Sequence, residues 1–246
     1  MPASPLPLLL LTRPHAQSLR FAEACRAACP PHEALLAPLT EIVALPFDAK
    51  ALAQAAGLVV TSPNAVAALG GIAPRPGMLA WCVGPGSAAA ARAAGFSVQQ
   101  SGGDAAHLIA DLRRARPDGP LVHLHGRHLA RDLVSELRAE GLAISGVVAY
   151  AAEARDWSPD ERAQLAEALT KRRVIAPLFS PRAARELAQR LSSEPSPGLV
   201  LVAISANCAA ALPEAWQHRV TIAARPDAEA MLAAIGAGMS QPRPQP

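Results

Sequence analysis

The sequence has few of the residues that most often signal nucleic-acid, metal or redox chemistry. Of its 23 basic residues only Lys50 and Lys171 are lysines, and the formal net charge is +3. Dispersed arginines at so small a charge do not form the basic stripe that binds nucleic acid. The 4 cysteines lack the C-x-x-C spacing of a metal or redox site. There is also no P-loop, no H-E-x-x-H motif and no nucleophile elbow.

Long apolar runs are absent as well, since none approaches the roughly 20 residues that cross a membrane. The opening MPASPLPLLLL has no basic start and is followed at once by Arg13-Pro14. It therefore predicts a first buried strand and not a signal peptide. We expect a cytoplasmic protein without a membrane or nucleic-acid partner. At 246 residues and 51% hydrophobic content, the chain can form one large or two small packed domains.

The chain does contain a repeated junction. Six apolar runs end in a small or hydroxyl residue and open into a helix-like stretch: LLLLTRPHAQ, LVVTSPNAV, LAWCVGPGSAAA, LVHLHGRHLARDL, PLFSPRAARELA and LVLVAISANCAAA. Continuous apolar strands that lead into helices are typical of a parallel sheet covered on both faces. We therefore predict a doubly wound α/β fold. At each junction, free N–H groups and the helix dipole favour an anion.

These junctions recur in the same order along the chain. Ser62-Pro63 returns as Ser180-Pro181, Gly84 aligns with Ser205, and Thr12-Arg13 pairs with Gly126-Arg127 at a similar offset. In the two Ser-Pro pairs we predict serine as helix N-cap and proline as first helical residue. The sequence thus predicts an internal duplication.

Two strand-like segments interrupt this rhythm, at Thr40–Phe47 and at Ile144–Ala154. Each precedes a new helix start, at Asp48 and at Ser158-Pro159. We interpret the two segments as crossings between domains. A further helix is predicted for HLARDLVSELRAEG, with Leu129, Leu133, Val134 and Leu137 on one face and a stop at Gly141.

A rival function rests on the stretch GPGSAA. Gly84, Gly86 and Ala89 fit the dinucleotide pattern G-x-G-x-x-[GA], and Asp104 follows at the distance of a ribose-binding carboxylate. The equivalent junction at Ser205 has no glycine, and Asp104 also suits a helix N-cap. A structural turn with an anion-binding helix start is the alternative that we favour.

The segment LVHLHGRH holds His123, His125 and His128. No carboxylate or cysteine joins them locally, so we predict no metal and interpret them as ordinary polar residues. Arg127 and Arg131 at a helix start would suit a carboxylate ligand, although solvated arginine is equally open.

Taken in order, the motifs TRP, TSPNAV, VGPGSA, HGRHLARDL with GVVAY, FSPRAA and AISANCAAAL resemble the uroporphyrinogen-III synthase family. The resemblance implies two flavodoxin-like α/β domains with parallel sheets, joined by a two-stranded crossing, with a cleft between them. It would place residues 1–38 and 155–246 in one discontinuous domain and 45–146 in the other, with crossings at 39–44 and 147–154.

The family's reaction cyclises hydroxymethylbilane to uroporphyrinogen III in heme biosynthesis, inverting the last pyrrole ring and losing water. It implies a lyase with no cofactor and no metal. By resemblance Tyr150, the only tyrosine, is the catalytic proton donor. The residues implied in binding are Arg13, Ser62, Ser87, Gly126, Arg127, Ser180, Asn207 and Cys208.

The resemblance implies an acidic linear tetrapyrrole as substrate, with transient contact to the enzyme that makes it, and a monomer. The chain departs from the family where Ser205-Ala206-Asn207-Cys208-Ala209 replaces a pattern with a threonine hydroxyl. Three functions therefore stay open: the synthase, a nicotinamide-dependent oxidoreductase, and a non-catalytic anion-binding paralogue.

Overall fold

A computed structural model describes residues 5–129, 131–191 and 196–241 of the chain. The strands are β1 Leu8–Leu11, β2 Glu33–Leu36, β3 Thr40–Ala44, β4 Gly57–Val60, β5 Leu79–Cys82, β6 Ser97–Gln100, β7 Leu121–Gly126, β8 Ile144–Ala154, β9 Val174–Leu178, β10 Leu199–Ala203 and β11 Val220–Ile222. The helices are α1 His15–Ala28, α2 Ala49–Gln54, α3 Pro63–Ala67, α4 Pro85–Ala93, α5 Ala105–Ala115, α6 Leu133–Ala139, α7 Pro159–Lys171, α8 Pro181–Leu191, α9 Ala206–Ala209 and α10 Ala228–Ser240, with a 3₁₀ turn at Glu214–Arg219. The alternation of strands and helices confirms the α/β prediction.

The described residues form two compact units. The first unit contains the residues up to Glu41 and those from Ala154 onward, and the second is Ile42–Glu153. Both changes from one unit to the other occur inside strands, in β3 and in β8. The first unit is therefore assembled from two segments that are far apart in sequence.

The first unit contains a five-stranded sheet in the order β11-β10-β9-β1-β2. Each neighbouring pair in it is parallel. Numbered along the chain within this unit, the order is 2-1-3-4-5, which is the flavodoxin arrangement. The predicted fold is confirmed here in its strand order.

The second unit contains a six-stranded sheet in the order β3-β8-β7-β4-β5-β6. The strands from β8 to β6 are joined by parallel pairs. When these five strands are numbered along the chain from β4 and read across the sheet from β6 to β8, their order is 3-2-1-4-5. Strand β3 is added at the edge beside β8.

The two sheets have the same spatial order of strands, but the chain begins at a different strand of that order in each unit. The duplicated junctions match β4 with β9, β5 with β10 and β7 with β1. With those strands matched, the order β6-β5-β4-β7-β8 corresponds strand by strand to β11-β10-β9-β1-β2. The strand order of the second unit is thus a circular permutation of that of the first, which agrees with a repeat that does not divide at the midpoint of the sequence.

Both faces of each sheet are covered, as the continuous apolar runs predict. In β1, Leu8 and Leu10 belong to one buried cluster, whereas Leu9 and Leu11 belong to the cluster on the other side. The same alternation divides the clusters of the second unit. Truncating such a fully buried leucine to alanine typically lowers the free energy of unfolding by about 2–5 kcal/mol. The buried runs therefore fix the strands, and with them the strand ends.

Local capping explains most of the helix starts. The predicted starts are confirmed at Asp48, whose carboxylate accepts the N–H of Lys50 at 2.9 Å, and at Ser158, which forms a capping box with Glu161. Ser62 caps α3, with Pro63 as its first residue.

The helix predicted from HLARDLVSELRAEG is shorter than predicted. It begins only at Leu133, because Asp132 accepts the N–H of Ser135 at 3.1 Å and ends the preceding loop. Leu129 lies before the helix and is 43% exposed, so its place on the apolar face was wrong. Leu133 and Leu137 do face the core.

Candidate functional site

The strand order of each sheet reverses at its centre, between β1 and β9 in the first unit and between β4 and β7 in the second. Ligands of open α/β sheets bind outside the carboxyl ends of the strands at this switch point. Arg13 and Ser180 follow β1 and β9, whereas Ser62 and Arg127 follow β4 and β7. These four of the predicted binding residues therefore lie at the switch point of their own unit. Ser87 follows the neighbouring strand β5, and Asn207 and Cys208 follow β10.

Arg13 is half-buried and held from several sides. Its Nε donates to Oε1 of Gln17 at 3.0 Å, and its guanidinium carbon lies 4.3 Å from the centroid of the Phe179 ring. Its own carbonyl accepts the hydroxyl of buried Ser18 at 2.8 Å. Burial, followed by the nearby charge of Arg20, lowers the pKa of Arg13. A partly desolvated cation of this kind is stabilised by an anion.

Ser180 forms the start of α8. Its hydroxyl oxygen accepts the N–H of Ala183 at 3.1 Å, as the Ser-Pro pattern predicts. Helix α8 is 11 residues long, so the partial positive charge of its first turn is well developed.

The junction after β10 is the one that departs from the family pattern. Ser205 caps the short helix α9 by accepting the N–H of Cys208 at 3.3 Å. The Cys208 thiol is buried and donates to the carbonyl of Leu178 at 3.5 Å, and burial raises its pKa. Asn207 is exposed. Cys208 thus shapes the turn with its backbone, while the Asn207 amide is the accessible group.

In the second unit, the junctions after β4 and β5 lie side by side. Ser62 accepts the N–H of Asn64 at 3.2 Å. Gly84 is the N-cap of α4, and a Cβ at Gly86 would come within 3.6 Å of the Pro63 ring. Ser87, in the first turn of α4, is only 5% exposed.

Gly126 and Tyr150 form one local feature. The two residues are paired across β7 and β8, where a bulge follows His125. A Cβ on Gly126 would lie 2.8 Å from the edge of the Tyr150 ring and 3.2 Å from its hydroxyl. Since real Cβ atoms do not approach that closely, only glycine lets the ring lie over this strand end.

Arg127 is placed beside the same tyrosine by the backbone. Its N–H donates to the carbonyl of Tyr150 at 2.9 Å. Its side chain is 52% exposed and pairs with Glu153 at 3.4 Å. An exposed pair at that distance is weak, so the guanidinium can exchange Glu153 for another carboxylate.

His123 and His125, which the sequence predicts to be ordinary polar residues, form a buried pair in β7. The rings of His123 and His125 are 5.0 Å apart. His123 is 1% exposed, its Nε2 lies 3.3 Å from the Thr61 hydroxyl, and burial, followed by the charge of His125, lowers its pKa to about 4. Nδ1 of His125 lies 2.8 Å from the carbonyl of Gly126.

Two other sequence hypotheses concern groups near these ends. Asp104 caps α5 by accepting the N–H of His107 at 2.9 Å, so its carboxylate serves the helix, as the favoured alternative predicts.

Within the described ranges, no three histidine, cysteine or carboxylate side chains come together as a metal site would require. No helix of those ranges is long and apolar enough to span a membrane.

The sequence therefore located the strand ends but not the supporting side chains. Phe179 and Glu153 were missed because each contacts an arginine far away in the sequence. Gln17 was missed although it stands only four residues after Arg13, a spacing that brings two side chains together on a helix.

Comparison with known proteins identifies the chain's relatives. The family model described as "Uroporphyrinogen-III synthase HemD" matches residues 20–233. No curated protein matches the chain. The uroporphyrinogen-III synthetase of Helicobacter pylori is similar in structure, with a TM-score of 0.64 at 16% identity over 94% of this chain and 99% of that one. A mutant uroporphyrinogen III synthase of Thermus thermophilus has a TM-score of 0.48 at 16% identity over 95% and 98%. The Helicobacter pylori structure shows that the fold is shared along nearly the whole chain.

Proposed function

The chain belongs to the uroporphyrinogen-III synthase family, and from that membership we propose how its strand ends bind and cyclise hydroxymethylbilane. The reaction inverts the last pyrrole ring and loses water, which makes the protein a lyase of heme biosynthesis. The observation that carries this function is the family match over residues 20–233.

The substrate's chemistry fits the groups at the strand ends. Hydroxymethylbilane carries eight carboxylates, and carboxylates are bound by guanidinium groups, hydroxyls and helix N-termini. We assign Arg13, Ser180 and Asn207 to binding in the first unit. We assign Ser62 and Arg127 to binding of the carboxylates in the second unit.

The remaining assigned residues, Gly126, Ser87 and Cys208, have different roles. Gly126 leaves room for the Tyr150 ring, and Ser87 offers a hydroxyl in the first turn of α4. Cys208 holds the α9 turn through its backbone and its bond to Leu178. A threonine hydroxyl is therefore replaced by a packed thiol at this position, and the exposed Asn207 amide supplies the polar contact there.

The chemical steps need one acid and a folded substrate. Protonation of the terminal hydroxyl lets it leave as water, which gives an azafulvene cation. The substituted carbon of the last ring attacks this cation to give a spiro intermediate, which fragments and recloses with that ring inverted; loss of a proton restores the aromatic pyrrole. The enzyme must hold the bilane so that closure through the substituted carbon is faster than the spontaneous closure to the type I isomer. This is catalysis by orientation.

Tyr150 is the residue we propose as the proton donor. Its ring lies against Gly126, and its carbonyl accepts the backbone N–H of Arg127 at 2.9 Å, so the phenol belongs to the same strand end as a proposed binding residue. General acids in such positions typically contribute about 10²–10⁴ in rate.

The proposal extends to organisation and location. Residues 1–38 and 155–246 would form one domain and 45–146 the other, with crossings at 39–44 and 147–154. We propose that the enzyme works as a cytoplasmic monomer. Because hydroxymethylbilane also cyclises spontaneously to the type I isomer, transient contact with the enzyme that makes it would shorten the exposure of the substrate.

The test is to supply freshly made hydroxymethylbilane to the purified protein and identify the isomer formed. The expected product is the III isomer, without added cofactor and unaffected by a chelator. Formation of the type I isomer alone would refute the enzymatic function and leave a binding paralogue. Saturable binding of a nicotinamide dinucleotide at Gly84 would instead favour the oxidoreductase.

A further inference from the structure

Arg13 is oriented by side chains of two different elements. Gln17 of α1 accepts from Nε at 3.0 Å, and the Phe179 ring, at the end of β9, covers the guanidinium at 4.3 Å. Phe179 is itself fixed edge-to-face by Phe21 of α1, with ring centroids 4.9 Å apart and an interplanar angle of 84°. The arginine is therefore held between α1 and the carboxyl end of β9.

The guanidinium nevertheless has no acidic partner among the residues that the structure describes. None of the ion pairs found there includes Arg13, and the charge that affects its pKa is the like charge of Arg20. Its Nη1 and Nη2 groups likewise have no acceptor in the described ranges, whereas Nε is already used by Gln17. A partly buried cation that is held firmly but left without a counter-ion is suited to a ligand anion.

We propose that Phe179 and Gln17 are positioning residues that fix Arg13 to bind one substrate carboxylate end-on, through Nη1 and Nη2. This inference rests on the proposed function. A carboxylate can approach arginine along the Nε–Nη edge or along the Nη–Nη edge. Gln17 occupies the first edge and Phe179 covers one face, so the second edge remains for the ligand.

The neighbouring helix start supports this assignment. Phe179 directly precedes Ser180, which caps α8. The ring that covers Arg13 therefore places the guanidinium at the same strand ends as the first turn of α8. Two positive groups on adjacent strands, β1 and β9, would then act on one carboxylate.

The test compares four variants of the full-length protein. Gln17→Glu puts a permanent carboxylate against Arg13, whereas Leu19→Glu adds the same charge on a different face of α1, at a residue that is 46% exposed. Phe179→Leu removes the ring face, and Phe179→Tyr keeps it. KM and kcat are measured with hydroxymethylbilane, and the affinity for uroporphyrin III is measured by fluorescence as a readout that needs no turnover.

We expect Gln17→Glu and Phe179→Leu to raise KM and the Kd for uroporphyrin III about three- to tenfold, with kcat much less affected. Leu19→Glu should change neither value more than about twofold, and Phe179→Tyr should restore the affinity that leucine loses. Unchanged affinities in both Gln17→Glu and Phe179→Leu, in a protein that still forms the III isomer, would overturn the inference while leaving the proposed function intact. If the wild-type protein gave only the type I isomer, the affinity series would still decide whether Arg13 is positioned for an anion.

Discussion

Arg13 and Arg127 follow the equivalent strands β1 and β7, yet their surroundings differ. Arg13 is covered by Phe179, bound by Gln17 and without an acidic partner in the described ranges. Arg127 is 52% exposed and pairs with Glu153. The duplicated backbone thus preserved the place of the cation, while the side chains around it diverged. We infer that the first unit supplies the stronger anion site and the second unit the proton donor.

The largest effect is expected from removing the phenolic hydroxyl of Tyr150, which has no counterpart in the first unit. Tyr150→Phe should lower kcat about 10²–10⁴-fold, since the ring is kept but the phenolic proton is lost. Affinity for uroporphyrin III and the preference for the III isomer should remain, because orientation does not need that proton. Wild-type turnover in this variant would show that Tyr150 only packs against Gly126.

Acid should destabilise the protein through the buried His123 of the second unit. The pKa of His123 is about 4 in the folded state and about 6.5 in an unfolded chain. The unfolded state therefore binds more protons in this window, so stability is full above pH 6.5 and falls as the pH drops to 4. The loss should reach about 3 kcal/mol at the lower limit.

The measurement for this prediction is urea unfolding at several pH values between 7 and 4. Carboxylates also titrate in this range, so the wild type is compared with His123→Gln, whose profile should be flatter. His218→Gln, at an exposed histidine of the first unit, serves as the control and should leave the profile unchanged. Parallel profiles for the wild type and His123→Gln would contradict the prediction.

The two arginines provide the direct test of the comparison. Arg13→Ala should weaken binding of uroporphyrin III about tenfold or more, because a hydrogen-bonded charge that is partly desolvated contributes about 1.5–3 kcal/mol. Arg127→Ala should weaken it only about threefold, since exposed charges contribute less. Arg26→Ala, an exposed arginine on α1, is the control. Equal losses at Arg13 and Arg127 would remove the asymmetry inferred above.

The smallest effects are expected at the two serine caps. Ser62→Ala and Ser180→Ala should each lower the free energy of unfolding by about 1 kcal/mol. Ser180→Asp should keep the cap but repel an acidic ligand, so it should retain stability and lose affinity for uroporphyrin III. If Ser180→Asp bound as well as the wild type, this helix start would have only a structural role.

Much of this arrangement follows from local sequence, and the exceptions have physical reasons. Continuous apolar runs and Ser-Pro pairs predicted the strands and the caps, because these depend on neighbouring residues. The start of α6 was predicted too early, since Asp132 caps the helix one turn later than the apolar spacing indicates. The contacts of Arg13 with Phe179 and of Thr61 with His123 join residues far apart in sequence, so no local pattern announces them.

The discontinuity of the first unit has a consequence for folding during synthesis. Strand β1 carries leucines buried on both faces, and its partner β9 begins at Val174, after the whole second unit. Until that part of the chain leaves the ribosome, β1 has a free edge and an uncovered apolar surface. The continuous second unit can complete its sheet first, because its strands need no partner from outside it. The closure of the first unit is then a late, long-range step, and the four leucines of β1 are the segment that a holding chaperone would protect in the meantime.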